Sequence, residues 1–186
     1  MPDILKEIDI SILQYINGHH NGLLDTIMWY VSEKTPWIPL YIILLFVLIR
    51  QYKIKVIWVL IFIAALVVLS DQLSVLIKNF IERPRPGYNT EINETLRYLN
   101  NYKGGQFGFV SSNAANTFGL AVLLSLFIRN KWFTIGLLSW SLLNCYSRIY
   151  LGVHYPSDIA GGIVLGLIIA LLLRIIYKKI PYIQPT

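Results

Sequence analysis

The sequence predicts an all-α protein, specifically a polytopic transmembrane helical bundle. Of its 186 residues, 55% are hydrophobic and 14% are charged, and the mean hydropathy is +0.57. Several apolar blocks are long enough to cross a bilayer, and short polar segments separate them. The length suits one compact helical unit, so we expect a single membrane-embedded domain over residues 1–186.

The N-terminal region predicts a helix at the membrane interface rather than a span. Within residues 3–16, isoleucine and leucine side chains recur near the helical period, with acidic and basic residues among them. The apolar positions are Ile4, Leu5, Ile8, Ile12 and Ile16. Asn17-Gly18 and Asn21-Gly22 then break the helix. Residues 23–34 form either a second interfacial helix or an additional span.

Five apolar segments are predicted to span the membrane. They are residues 37–49, 54–81, 114–128, 132–150 and 159–177. The first is short, because a span needs about 20 residues. It therefore begins earlier or starts below an aromatic interface marked by Trp29, Tyr30 and Trp37. We expect about five spans, or six if residues 23–34 insert.

Basic clusters between the apolar segments predict the orientation. They comprise Arg50, Lys53 and Lys55, then Arg129 and Lys131, and finally Lys178 and Lys179. The positive-inside rule places all three clusters in the cytoplasm. The loop of about residues 82–113, with a short helix near 91–100, and the turn at 151–157 then face outward. The net charge of +6 does not predict binding of nucleic acid, because the cations fall in these short clusters between apolar blocks.

Every residue suited to chemistry falls at those outward ends. They form three groups along the chain. The first is Asp71, Ser74 and Lys78 on one helix face, followed by Arg83-Pro84 and Arg85-Pro86. The second is Ser111-Ser112-Asn113, and the third is Ser147-Arg148 with His154 and Asp158. Cations beside an imidazole that a carboxylate can orient suit chemistry on a phosphate group. Backbone N–H groups at a helix start near Ala114 could bind the same anion. No Cys/His cluster or grouped carboxylates predict a metal or cofactor.

The spacing of these residues resembles that of the type 2 phosphatidic acid phosphatase (PAP2) superfamily. The matching pattern is Lys78-(six residues)-Arg85-Pro86, then Ser111, then Ser147-Arg148-(five)-His154-(three)-Asp158. It extends over about residues 71–162, roughly half the chain. The resemblance implies a metal-independent lipid phosphatase in a bacterial cytoplasmic membrane, with His154 as nucleophile and Asp158 orienting it. It also implies a phosphoryl site built from Lys78, Arg85, Ser111, Ser112 and Arg148.

One position departs from the pattern. The second motif of the superfamily reads Pro-Ser-Gly-His, whereas this chain has Val110-Ser111-Ser112-Asn113. The histidine there would protonate the leaving group, and Asn113 has no titratable group. Losing such an acid typically costs on the order of 10²–10⁴ in rate. Two explanations are open: a deliberately disabled variant, or a natural enzyme with weakened or differently assisted turnover.

The resemblance suggests an order of candidate substrates, but no residue of the motifs selects one of them. The first expectation is undecaprenyl diphosphate, and lipid A and phosphatidylglycerol phosphate are close alternatives, because the motifs contact only a phosphoryl group. Asn113 also keeps a different class open, a non-catalytic phospholipid-binding or transport protein on the same scaffold. Hydrocarbon chains are expected to enter laterally between helices, in a groove that the sequence does not identify.

Overall fold

The structure, a computed structural model, describes residues 3–180, and seven α-helices form most of that part. They are α1 (Asp3–Gly18), α2 (Gly22–Ser32), α3 (Ile38–Tyr52), α4 (Val56–Ile81), α5 (Ser112–Ile128), α6 (Lys131–Tyr150) and α7 (Pro156–Lys178). Within residues 3–180 the sole β pairing is an isolated bridge between Pro84 and Phe107. The prediction of an all-α fold is therefore confirmed.

Two stretches of helix are long and apolar enough to cross a membrane. Thr35–Ile81, which combines α3 and α4, has a mean hydropathy of 2.4, and Pro156–Lys178 has one of 2.7. A short 3₁₀ turn at Lys53–Lys55 separates α3 from α4. The apolar helix Ser112–Ile128 falls below the length required. Five or six spans therefore remain a prediction.

Close packing between α5 and α7 sets the geometry of the end of the bundle at which both helices begin. A Cβ atom on Gly166 would lie 2.3 Å from the carbonyl oxygen of Ala115, and one on Gly162 would lie 2.4 Å from that of Ser111. Only glycine allows two helix backbones to approach this closely. As a result, the start of α5 lies against the start of α7, and the Ser111 N–H donates to the Asp158 carbonyl at 2.9 Å.

The outer loop between α4 and α5 is less helical than predicted. In place of a helix near residues 91–100 it has single 3₁₀ turns at Asn93–Thr95 and Leu99–Asn101. Asn100 and Asn101 adopt left-handed φ angles of 52° and 56°, which interrupt a helix. The loop is fixed instead by Arg97, whose guanidinium donates to both carboxylate oxygens of Asp25 on α2 at 2.7 and 2.5 Å.

Helix α1 has an apolar exposed face and a buried face that includes a carboxylate. Ile4 and Leu5 are 70% and 51% exposed, whereas Leu13 is fully buried and Asp9 is only 4% exposed. The break after Gly18 and the restart at Gly22 match the sequence prediction. The exposed face suits a membrane interface. The buried Asp9 was not expected, because carboxylates of an amphipathic helix usually lie on its exposed face.

Candidate active site

The fold brings the three sequence motifs together at the end of the bundle where α4 ends and α5 and α7 begin. The Lys78 ammonium at the end of α4 donates to the Ser112 hydroxyl at the start of α5. The Ser111 backbone joins the same region to Asp158. Arg85 lies close enough to both Asp158 and Arg148 for their charges to affect it. Residues that are far apart in sequence thus share one pocket.

His154 lies in the turn after α6, Asp158 lies in the first turn of α7, and the two side chains form a buried pair. The His154 Nδ1 atom lies 3.2 Å from the Asp158 Oδ2 atom, and the two side chains are 2% and 0% exposed. Gly152, with a φ of +72°, allows the tight turn that precedes the histidine. When the Asp158 carboxylate accepts a hydrogen bond from Nδ1–H, Nε2 is the unprotonated ring nitrogen.

Two arginines provide the positive charge of the pocket. Arg148 is 7% exposed, its Nη2 atom donates to the Tyr102 hydroxyl at 3.2 Å, and its Nε atom has no hydrogen-bond partner among residues 3–180. Arg85 is extended, as Pro84 and Pro86 predict, and its Nε donates to the Phe107 carbonyl at 3.1 Å. Burial and the nearby Arg148 lower the pKa of Arg85. An anion between the two guanidinium groups would relieve their repulsion.

The start of α5 is arranged as an anion site. The helix begins at Ser112, two residues before the predicted start, and the Ser111 hydroxyl caps it by accepting from the Ala114 N–H at 3.4 Å. Unbonded N–H groups of a first helical turn favour negative charge. Ser111 is fully buried, and its hydroxyl can still donate its own proton. Direct contact of Ser111 and Ser112 with phosphate remains a prediction.

Asn113 lies at the border between this site and a cavity of about 630 Å³. The polar end of the cavity includes Asp71, Asn113 and Asn116, and its wall is largely apolar. The apolar lining includes Leu44, Leu45, Leu48, Leu60, Ile63, Val67, Leu120 and Leu124. Asn116 Nδ2 donates to Asp71 Oδ1 at 2.6 Å, while Asn113 Oδ1 has no partner among residues 3–180. The cavity lies between α3, α4 and α5, and Ser32 of α2 and Trp140 and Asn144 of α6 also line it.

The structure gives Arg83 contacts that the sequence did not predict, and it adds Asp9, which the sequence did not single out. Arg83 donates to the Asp158 Oδ1 atom at 2.9 Å and to the Asp9 Oδ2 atom at 2.7 Å, and its guanidinium lies 4.1 Å from the centre of the Tyr155 ring. The sequence left two roles open for Arg83, contact with phosphate or contact with lipid headgroups, and neither includes Asp158 or Asp9. Asp9 gave no signal, since it lies 74 positions from Arg83.

The described residues contain no grouping suited to a metal ion. Within residues 3–180, no cluster of three or more His, Cys, Asp or Glu side chains could hold one. The carboxylates near the site bind arginine, histidine or asparagine. The absence of a metal from the chemistry remains a prediction.

The buried imidazole of His154 predicts how the activity depends on pH. Burial, together with the charges of Arg85 and Arg148, lowers the pKa of His154 to about 4, against the opposing effect of Asp158. The imidazole of His154 is therefore neutral above about pH 5 and becomes protonated only as the pH falls through about 4. In kcat/KM profiles with an aryl phosphate, we expect the acidic limb near pH 4. A limb centred at the ordinary histidine value of 6.5 would contradict this geometry.

Comparison with known proteins shows which proteins this chain is similar to. The profile described as the PAP2 superfamily matches residues 56–182. The chain is 35% identical over 170 residues to a lipid A 4'-phosphatase of Bacteroides thetaiotaomicron, covering 89% of this chain and 75% of the relative. It is 28% identical to the undecaprenyl-diphosphatase BcrC of Bacillus subtilis, covering 89% and 82%. The crystal structure of a PAP2-type phosphatidylglycerolphosphate phosphatase from Bacillus subtilis superposes with a TM-score of 0.74 at 21% identity, covering 95% and 88%.

Proposed function

The chain belongs to the PAP2 superfamily, and we propose that it hydrolyses a membrane lipid phosphate through a phosphohistidine formed on His154. Its relatives are named phosphatases, so the chain is a phosphoric-ester hydrolase of the membrane. The observation that carries the proposed mechanism is the buried pair of His154 and Asp158 beside two arginines. A neutral, oriented imidazole next to fixed positive charge suits nucleophilic attack on phosphorus.

The proposed reaction has two steps. In the first, the His154 Nε2 atom forms a bond to phosphorus while the bond from phosphorus to the lipid oxygen breaks. Lys78, Arg85 and Arg148, with the N–H groups at the start of α5, stabilise the charge on the equatorial oxygens. In the second step, water attacks the phosphohistidine, releasing inorganic phosphate and restoring the imidazole. Asp158 keeps Nδ1 protonated throughout and stabilises the charge that develops on the ring.

The leaving group decides which substrate we put first. When the terminal phosphoryl group of a lipid diphosphate is transferred, the leaving group is the lipid monophosphate. This leaving group is a weak base, so its departure needs little help from an acid. Asn113 cannot provide a proton near neutral pH, so this chemistry favours undecaprenyl diphosphate. Similarity to an undecaprenyl-diphosphatase supports the same choice. The apolar cavity beside Asn113 would hold the first part of the hydrocarbon chain.

Lipid A phosphate is the second candidate, because the relative with 35% identity is a lipid A 4'-phosphatase. Its leaving group is a sugar hydroxyl, which departs poorly without a proton. This substrate therefore requires an acid other than Asn113. A phospholipid-binding protein without turnover is the alternative from a different class, and the intact nucleophile pair argues against it.

A phosphate-release panel tests the proposal. The purified chain and its Asn113→His form would be assayed in detergent micelles with undecaprenyl diphosphate, lipid A and phosphatidylglycerol phosphate. We expect the unsubstituted chain to release phosphate fastest from the diphosphate. Greater activity on lipid A would transfer the assignment to the second candidate. Binding of all three lipids without release by either form would favour the non-catalytic alternative.

We propose that the protein is a multi-pass protein of a bacterial cytoplasmic membrane, with five or six spans and its site facing the exterior or periplasm. The basic clusters and apolar helices support this arrangement. Cysteine substituted at Lys178 should react with an impermeant thiol reagent only after cell lysis. Cysteine at Lys103 should react in intact cells, or in spheroplasts where an outer membrane is present. Labelling of position 178 in intact cells would reverse the orientation.

Chelators are expected to leave the activity unchanged, because the proposed chemistry depends on protein cations rather than a bound ion. Activity on undecaprenyl diphosphate would be measured in EDTA, and again after dialysis. Substrate solubility should be checked in parallel, since divalent ions alter diphosphate micelles. A strict magnesium requirement with an aryl phosphate, which needs no ion for solubility, would count against the mechanism.

A further inference from the structure

We infer that Asp9 and Arg83 are positioning residues for the Asp158–His154 pair, so that helix α1 forms part of the active site. This inference rests on the proposed function, in which His154 is the nucleophile. The contacts form a chain from the interfacial helix to the imidazole. Asp9 binds Arg83, Arg83 binds Asp158, and Asp158 binds His154.

Asp158 has a separate partner for each carboxylate oxygen. Oδ2 accepts from the Tyr155 N–H at 3.1 Å and lies 3.2 Å from His154 Nδ1. Oδ1 accepts from Arg83 at 2.9 Å. The backbone of Gly108 closes one side, where an added Cβ would lie 2.6 Å from Oδ2. Arg83 therefore fixes the rotation of the carboxylate that orients the nucleophile.

Arg83 is itself held in one orientation by groups from two helices. Its Nη1 atom also donates to the Ser157 hydroxyl at 2.5 Å, and its Nη2 atom donates to Asp9. The carboxylate of Asp9 accepts in addition from the Ser157 N–H at 2.9 Å. Asp9 thus binds both the arginine and the first turn of α7. Since that turn also contains Asp158, displacement of α1 would disturb the pair directly.

Charge distinguishes this role from simple structural support. His154 is affected by Asp158, Arg85 and Arg148. Arg83 lies one contact beyond Asp158, and Asp9 lies one contact beyond Arg83. Arg83 neutralises part of the Asp158 charge. Without it, Asp158 would stabilise the imidazolium more strongly, so the pKa of His154 would rise. Loss of Asp9 removes a negative charge and should not raise that pKa.

Direct contact with substrate is the competing role for Arg83. Its donors are already directed at Asp158, Ser157 and Asp9, and its side chain is only 17% exposed. A phosphate at His154 would have to displace one of these partners. Substitution at a substrate-binding arginine would chiefly raise KM, whereas a positioning defect lowers kcat.

The test compares Asp9→Asn, Arg83→Gln and Arg83→Lys on undecaprenyl diphosphate. We expect kcat to fall about 10- to 100-fold in the first two, with KM changed by less than about threefold. In Arg83→Gln the acidic limb of kcat/KM should move to higher pH, and in Asp9→Asn it should not. Arg83→Lys should restore the pH profile, because it keeps the charge, but only part of kcat.

Asp25→Asn is the matched control. Asp25 likewise connects an N-terminal helix to an arginine, Arg97, but does not contact the nucleophile pair. We expect an unchanged pH profile and kcat in this variant, even if its melting temperature falls. Equal losses in Asp9→Asn and Asp25→Asn without a pH shift in Arg83→Gln would overturn the inference, as would an effect confined to KM.

An NMR titration of the histidine rings in micelles keeps this test separate from the proposed function. The His154 resonance, assigned from the spectrum of His154→Ala, should titrate at higher pH in Arg83→Gln than in the unsubstituted chain. If no form of the chain releases phosphate, the proposed function fails while the positioning of the imidazole is still measured. An unshifted His154 titration in Arg83→Gln would overturn the positioning role.

Discussion

Substitution of His154 by alanine is expected to abolish turnover, with a fall in kcat on the order of 10⁴-fold or more. The reason is that no other described side chain in the pocket combines a neutral nitrogen with an orienting carboxylate at 3.2 Å. Lys78, Arg85 and Arg148 remain in place, so affinity for the lipid phosphate should survive better than the rate. Phosphate release and lipid binding would both be measured in the Asn113→His background, where basal activity is highest.

The chain offers a direct control for this substitution. His19 and His20 are the two other histidines, and both are exposed at the turn after α1. His20→Ala should leave phosphate release unchanged. Acid-labile incorporation of labelled phosphate should disappear in His154→Ala and persist in His20→Ala. Near-full activity of His154→Ala would exclude a phosphohistidine on this residue.

Substitution of Asn113 by histidine is expected to raise kcat by about 10²–10⁴-fold on a lipid monophosphate. This corresponds to about 3–5 kcal/mol of transition-state stabilisation. Asn113 is in the first turn of α5 beside the cavity, and its Oδ1 has no partner among residues 3–180. The substitution therefore breaks no bond of that oxygen, and it introduces a group able to protonate the leaving oxygen.

The leaving group provides the internal control for Asn113. On undecaprenyl diphosphate the gain should be smaller, because that leaving group departs with little protonation. Asn113→Gln, which lengthens the amide but adds no acid, should not increase either rate. If the histidine form is no faster on either substrate, the leaving-group acid lies elsewhere in the pocket.

The sequence by itself determined the helical elements and predicted which side chains form the site. The apolar blocks and glycine breaks predicted α1 through α7 with modest differences at the helix ends. They could do so because both signals depend only on residues that are neighbours in the sequence. The motif spacings depend on residue type at short range, and they predicted a site that contains Lys78, Arg85, Arg148, His154 and Asp158. A helix near residues 91–100 was expected wrongly, because left-handed asparagines in the loop have no periodic signature.

Only the tertiary structure decided how these groups are held. Asp9 meets Arg83 across 74 positions, and the 630 Å³ cavity forms where α3, α4 and α5 diverge. Helix periodicity shows which face of α1 is apolar, but it does not show which distant residue a side chain of that helix contacts. Asp9 has the same local pattern as an exposed acid of an amphipathic helix. It is buried because α1 packs against the first turn of α7, where Arg83 and the Ser157 N–H compensate its charge.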